Sequence, residues 1–282
     1  MATVSTKSFE LVGADGGALR GEVRTAAGGE DRPAVLICHG FKGFKDWGFF
    51  PHIASRLARA GITAVSFNFS GSGVGSDGES FSEPERFGHA TVSGDLADLE
   101  TVRRALYDGT LVDGVAPPAA LGVFGHSRGG GVAIIYGADR PECRALVTWA
   151  AVADFLRWDE ETVAQWRVEG KIDVVNVRTG DVLPLYTDAL DDLAAHGEHL
   201  DPTRAAGALA VPWLIVHGDA DESVASSDAQ RLYGAAQRGT AELALIQDGT
   251  HTLGVRHPWG GSTPEFEQAM DLTVGWFSRY LM

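Results

Sequence analysis

The apolar run Leu121–Phe124 passes without a spacer into Gly125-His126-Ser127-Arg128-Gly129, and the next segment, Gly130–Tyr136, reads as a helix. A serine between two glycines at such a joint implies a sharp strand-to-helix turn that lifts the hydroxyl above the sheet edge. Alone the pattern G-x-S-x-G is weak, since 36 glycines and 16 serines in 282 residues supply about 0.26 matches by chance. Its context gives it weight: an apolar strand precedes it, and Gly129, Gly130 and Gly131 let the following helix approach neighbouring strands.

Around this joint, short apolar runs alternate with longer amphipathic segments. Phe9–Val12 and Ala18–Val23 read as an opening hairpin across Asp15-Gly16-Gly17. Ala34–Cys38 and Ile62–Phe69 read as strands, separated by a helix from about Phe50 to Ala60 that stops at Gly61. A Gly/Ser-rich loop from Ser70 to about Ser82 leads to a helix from about Asp95 to Leu106. Leu146–Trp149, Trp213–Val216 and Leu243–Ile246 are further strands, with a helix over Ser227–Ala236. In the last helix Ser262 and Glu265 have capping-box spacing, Pro264 suits the first turn, and Phe266, Met270, Thr273, Trp276 and Tyr280 recur at three and four. The alternation predicts an α/β chain, a mostly parallel sheet covered by helices on both faces.

One stretch interrupts it. About sixty residues separate Trp149 from Val211, too many for an ordinary connection. They predict a short helix over Glu160–Glu169 ended by Gly170. A hairpin follows, Ile172–Val177 with Val182–Tyr186, turning at Thr179-Gly180-Asp181. The expectation is one domain over residues 1–282 with a lid insertion at about 153–203 above the carboxyl ends of the strands.

A serine hydroxyl is a poor nucleophile at neutral pH and needs a base and a group that orients the base. After an elbow of this kind they follow in the order Ser, acid, His, at later strand ends. Val216-His217-Gly218-Asp219-Ala220-Asp221 closes one strand and Asp248-Gly249-Thr250-His251 the next, so Ser127, His251 and one of Asp219 or Asp221 are the catalytic candidates. His257 lies further from the strand end, His126 is too close to Ser127 to serve as its base, and His196 and His199 sit in a polar stretch. For an oxyanion hole the backbone N–H groups of Arg128 and of Phe41, in the early loop His39-Gly40-Phe41, are the candidates.

Formal net charge is −15, which disfavours nucleic acid and anionic membranes as partners. Cys38 and Cys143 lie in or beside apolar runs and read as buried, inert thiols; no spacing points to zinc. No apolar run approaches the ~18 residues of a spanning helix and no leader pattern opens the chain, so a cytoplasmic location is expected.

The chain resembles α/β-hydrolases of the esterase branch that includes cinnamoyl and feruloyl esterases and relatives of dienelactone hydrolase. The resemblance rests on His39-Gly40-Phe41, Gly125-His126-Ser127-Arg128-Gly129, Gly218-Asp219-Ala220-Asp221 and Gly249-Thr250-His251, and spans about residues 8 to 282. It implies that the acid, three after the strand-end glycine, is Asp221, that the base is His251, and that the insertion is a helix-plus-hairpin lid. It departs from the family at Asn68-Phe69-Ser70-Gly71-Ser72-Gly73, where Asp-x-Arg-Gly-x-Gly is common. The implied activity is hydrolysis of small to medium acyl or aryl, cinnamoyl-type, carboxylic esters through an acyl-enzyme. No cofactor or metal is implied, and the partner is a small-molecule ester. An acyl-peptidase or thioesterase with the same triad, or a non-catalytic binding protein on this scaffold, are the alternatives. Trp47, Phe49, Phe50, Trp158, Trp166, Leu183, Leu185 and Tyr186 are candidates for an aromatic pocket wall, of which two or three are expected to line it.

Overall fold

Val35 and Ile37 face one way and Ala34, Leu36 and Cys38 the other, and all five are buried; strand β3 (Ala34–Cys38) therefore needs cover on both faces. The computed structural model, which describes residues 3–26, 32–176 and 180–282, supplies it with helices on either side of an eight-stranded sheet. In chain order its strands are β1 (Val4–Val12), β2 (Ala18–Ala26), β3, β4 (Thr63–Phe67), β5 (Leu121–His126) and β6 (Cys143–Trp149). After a separate hairpin, β7 (Lys171–Val175) and β8 (Val182–Tyr186), come β9 (Trp213–Gly218) and β10 (Ala241–Ile246). The spatial order is β1-β2-β4-β3-β5-β6-β9-β10. The two pairings involving β2 are antiparallel and the others parallel.

The helices are α1 (Phe50–Arg59), α2 (Pro84–Gly88), α3 (Val92–Tyr107), α4 (Arg128–Asp139), α5 (Glu160–Glu169), α6 (Asp188–His196), α7 (Pro202–Ala208), α8 (Ser226–Ala235) and α9 (Pro264–Leu281). Ile53 and Leu57 of α1 join Phe266, Met270 and Phe277 of α9 in the core on one face. Leu99 and Val102 of α3, with Val132–Tyr136 of α4, build the core on the other. Two buried indoles of the sheet have a polar partner: Trp149 Nε1 donates to Thr273 Oγ1 (2.9 Å) and Trp213 Nε1 to Thr148 Oγ1 (3.0 Å). Both cysteines are buried and free; burial pushes the Cys143 thiol up to about 12 and the Cys38 thiol higher still.

Two local expectations are corrected. The α9 cap is Thr263, whose hydroxyl accepts from Phe266 N–H (3.1 Å), and not Ser262. Pro264 takes the first helical position because its fixed φ and missing N–H suit it there, so the residue before it must be the cap. The strand expected over Ile62–Phe69 ends at Phe67, because Asn68 and Phe69 turn away to bond the β3 loop.

Between β6 and β9 the chain leaves the sheet for α5, the β7–β8 hairpin, α6 and α7. Helix α5 ends at Gly170 in the left-handed conformation, as expected. Of the expected hairpin, the strand end Val177 and the turn residue Thr179 lie outside the described residues. This segment is bound to the body by side chains. Ser93 donates to Asp192 through N–H (3.0 Å) and Oγ (2.5 Å), Tyr186 Oη to Glu85 (2.8 Å), and Arg157 to Asp228 (2.9 Å).

Candidate active site

Strand β3 is flanked by β4 on one side and β5 on the other, so the chain's winding reverses there and the loops after β3 and β5 part to leave a crevice. Ser127 sits at that point. Its φ of 57° and ψ of −122° are strained for a residue with a side chain, and backbone bonds hold the strain, one of them from Val152 N–H to its carbonyl (3.3 Å). Its N–H donates to Trp149 O (2.9 Å), and its carbonyl accepts from Gly130 (2.9 Å) and Gly131 (3.2 Å). The flanking glycines are steric necessities: a Cβ on Gly125 would lie 2.2 Å from Gly129 O, and one on Gly129 2.3 Å from His39 O.

The loop after β3 crosses the top of the elbow. His39 Nε2 accepts from Phe69 N–H (3.2 Å), which leaves Nδ1 as the donor to Gly40 O (2.9 Å). Burial lowers the His39 pKa to about 4, with Arg128 adding to the shift against the Gly40 bond, so the ring is neutral and pins the loop. Phe41 and Arg128 both line the cavity above Ser127.

His251 lines the same cavity. Its Nδ1 lies 2.8 Å from Asp221 Oδ2. Asp221 has a fully buried side chain, and its Oδ1 accepts from Ser223 and Val224 N–H groups at 2.8 and 2.9 Å. Burial pushes the Asp221 carboxyl up, but the bonds from His217, His251 and Val224 outweigh it and hold the group well below the usual carboxylate range. Asp219 is exposed and accepts from Asp248 N–H (2.7 Å), tying two strand-end turns together. His257 accepts from Gly48 N–H (3.1 Å) and packs against Phe44 and Trp47. Ser127 Oγ and His251 Nε2 share the cavity without a hydrogen bond between them, a spacing common in substrate-free sites.

Three residues at the site were not given a role from sequence. His126 is buried, and its Nε2 donates to the backbone carbonyl of His251 (2.9 Å). His217 is buried beneath Asp221, with Nε2 2.8 Å from Val224 O and 3.4 Å from Asp221 Oδ2. Asp95 forms an ion pair with the Arg128 side chain. For Asp95 a signal existed: with Leu99, Val102 and Leu106 it lies on the buried stripe of α3, an odd place for a carboxylate.

The cavity encloses about 280 Å³. Of the aromatic and aliphatic candidates, Trp158, Trp166 and Leu185 line it. Trp47, Phe49 and Phe50 pack in the core instead, and Tyr186 stacks on His89. Phe69, Phe87 and Phe155 complete the wall. Among the described residues no group of three or more His, Cys, Asp or Glu could hold a metal ion, and no helix is long and apolar enough to cross a membrane.

A doubly covered, mostly parallel sheet with a strained serine at the switch point, and a histidine and an acid at later strand ends, defines an α/β-hydrolase. Residues 29–169 match the family described as serine aminopeptidase, S33, and the chain belongs to that family. It is 26% identical over 248 residues to the 2,6-dihydropseudooxynicotine hydrolase of Paenarthrobacter nicotinovorans, covering 83% of this chain and 57% of that one. The chain thus spans little more than half the length of that relative. It is 27% identical over 224 residues to a monoacylglycerol lipase of Mycolicibacterium smegmatis, covering 69% and 72% of the two chains. The fold is shared with ferulic-acid-bound Est1E of Butyrivibrio proteoclasticus, at a TM-score of 0.71 and 19% identity, over 95% of this chain and 98% of that one.

Proposed function

We propose that this chain is a single-domain serine esterase, with Ser127 as nucleophile, His251 as general base and Asp221 as the residue that orients it. The observation that carries the reading is the 2.8 Å contact between His251 Nδ1 and Asp221 Oδ2, beside a strained serine over the same cavity. Ser127 Oγ attacks the ester carbonyl carbon while His251 Nε2 takes its proton. The backbone N–H groups of Phe41 and Arg128 hold the oxyanion, each worth about 2.7–4 kcal/mol in the transition state. Collapse expels the alcohol, which receives the proton from His251, and water then releases the acid by the same steps in reverse. Asp221, held ionised, keeps the imidazole in the tautomer with its proton on Nδ1.

A cavity of about 280 Å³ walled by Phe87, Phe155, Trp158 and Trp166 favours small to medium acyl or aryl groups, since ligand pockets run from about 300 Å³ upward. Residues 153–203 serve as a lid, contributing Phe155, Trp158, Trp166 and Leu185 to that wall. The family's description as serine aminopeptidase favours a second reading, hydrolysis of a peptide bond by the same triad.

Fluorophosphonate labelling mapped by mass to Ser127, with loss of p-nitrophenyl ester turnover in Ser127→Ala, is the expected result. Turnover retained in that variant overturns the assignment. A panel of short esters, acyl-CoAs and acylated peptides separates the ester reading from the peptide one.

A further inference from the structure

The cavity over Ser127 is mainly aromatic and aliphatic, yet one ion pair belongs to its wall. Arg128 Nε donates to Asp95 Oδ2 at 2.9 Å, and Arg128 Nη2 lies 2.8 Å from the same oxygen. Because both nitrogens address one oxygen, Asp95 Oδ1 has no hydrogen-bond partner among the described residues. Asp95 is 6% exposed. The space it reaches is this cavity and a second cleft beyond Gly71 and Ala90, which those two residues and Asp95 also line.

The other charged side chains of the cavity wall are committed elsewhere. Lys42 Nζ donates to Val175 O (2.9 Å), and Arg157 donates to Asp228 (2.9 Å) and Ser223 O (3.0 Å). An apolar pair of similar volume would serve packing as well as this ion pair or better. Burial raises the Asp95 pKa to about 6 against the pull of Arg128, with Asp98 and Asp192 adding to the rise, so the carboxylate sits at a cost to the fold. A stability-costing polar group in a substrate cavity points to selection of substrate.

We infer that Asp95 Oδ1, held in place by Arg128, anchors substrates whose acyl part carries a neutral hydrogen-bond donor, a hydroxyl or an amide N–H. A cationic donor is disfavoured, because it would lose its hydration and share one carboxylate with the Arg128 guanidinium, which already occupies Oδ2. A neutral donor is cheaper to dehydrate, and its absence leaves the carboxylate oxygen bare, which is how a polar site rejects an analogue lacking the partner group. Arg128 directly follows Ser127, so the anchor lies within one side chain's reach of the nucleophile and suits a short acyl group.

The inference rests on the esterase reading, and two measurements keep them apart. The first compares kcat/KM for p-nitrophenyl 4-hydroxyphenylacetate and p-nitrophenyl phenylacetate. The native enzyme is expected to favour the hydroxyl-bearing ester by tenfold or more, and the Asp95→Leu/Arg128→Met double variant to bring the ratio within twofold of one. A native ratio near one, or a preference that survives in the double variant, overturns the anchor. The second titrates Ser127→Ala protein calorimetrically with 4-hydroxyphenylacetamide and phenylacetamide, which reads the anchor without turnover. Tighter binding of the hydroxyl-bearing amide supports the anchor even if neither ester is cleaved, an outcome that sinks the esterase reading alone. Equal affinities overturn the anchor whatever the turnover.

Discussion

His251 Nδ1 lies 2.8 Å from Asp221 Oδ2, while Asp221 Oδ1 is taken by the Ser223 and Val224 N–H groups. The carboxylate is thus held from two sides and presents a single oxygen to the ring. Asp219, two residues earlier, faces solvent and spends its Oδ1 on Asp248 N–H.

This difference predicts unequal effects of the same isosteric change. Asp221→Asn preserves shape but favours the wrong tautomer of His251, so kcat on a p-nitrophenyl ester should fall on the order of 10³–10⁴-fold. Asp219→Asn should stay within a few-fold of native. Equal losses in the two variants would refute the assignment of Asp221.

The bond from His126 Nε2 to His251 O, 2.9 Å long, fixes the backbone of the proposed base and not its ring. His126 is therefore a positioning residue. Removing one such bond forfeits about 1 kcal/mol. His126→Ala is expected to lower kcat about five- to tenfold with KM little changed. A rise in KM at unchanged kcat would instead make it a binding residue.

His39 gives a pH dependence of defined sign. Its folded pKa is about 4, below the ordinary 6.5, so between those values the unfolded chain binds the proton and the folded chain does not. The contribution of the neutral ring is complete above pH 6.5 and is lost as pH falls towards 4, by about 3 kcal/mol in all. Urea unfolding of native protein and of His39→Gln from pH 7.5 to 4 should show their stability difference shrinking over that interval. Parallel curves would dismiss His39 as the titrating group.

Ser127 was legible from sequence because an elbow is a local demand: glycines at 125 and 129 are forced by carbonyls 2.2 and 2.3 Å from any added Cβ. The parallel sheet was legible because β3, β4 and β5 are buried on both faces and read as short, mainly apolar runs, unbroken in β3. Asp221 and Asp219 share one turn, so the residues alone leave both open; the resemblance's spacing favours Asp221, and Asp221 is the one bonded to His251. The pocket wall was less legible. An aromatic residue type says nothing of which side of a loop it faces, and Trp47 turned into the core where Trp158 turned to the cavity. Helices α6 and α7 went unforeseen because their short apolar patterns are completed only by packing against the body.

The α9 cap offers a test of a purely local correction. Thr263 Oγ1 accepts from Phe266 N–H at 3.1 Å and donates to Leu253 O at 2.5 Å, so it ties the helix start to the loop that follows His251. Loss of a hydroxyl cap costs about 1 kcal/mol, and the second bond adds to it. Thr263→Ala should therefore lower stability by about 1–2 kcal/mol in urea unfolding. Ser262→Ala, one residue outside the cap, should change it by less than about 0.5 kcal/mol. Because Leu253 lies two residues beyond His251, Thr263→Ala should also reduce kcat a few-fold while leaving KM in place. A larger loss from Ser262→Ala than from Thr263→Ala would restore the capping box read from the spacing of Ser262 and Glu265.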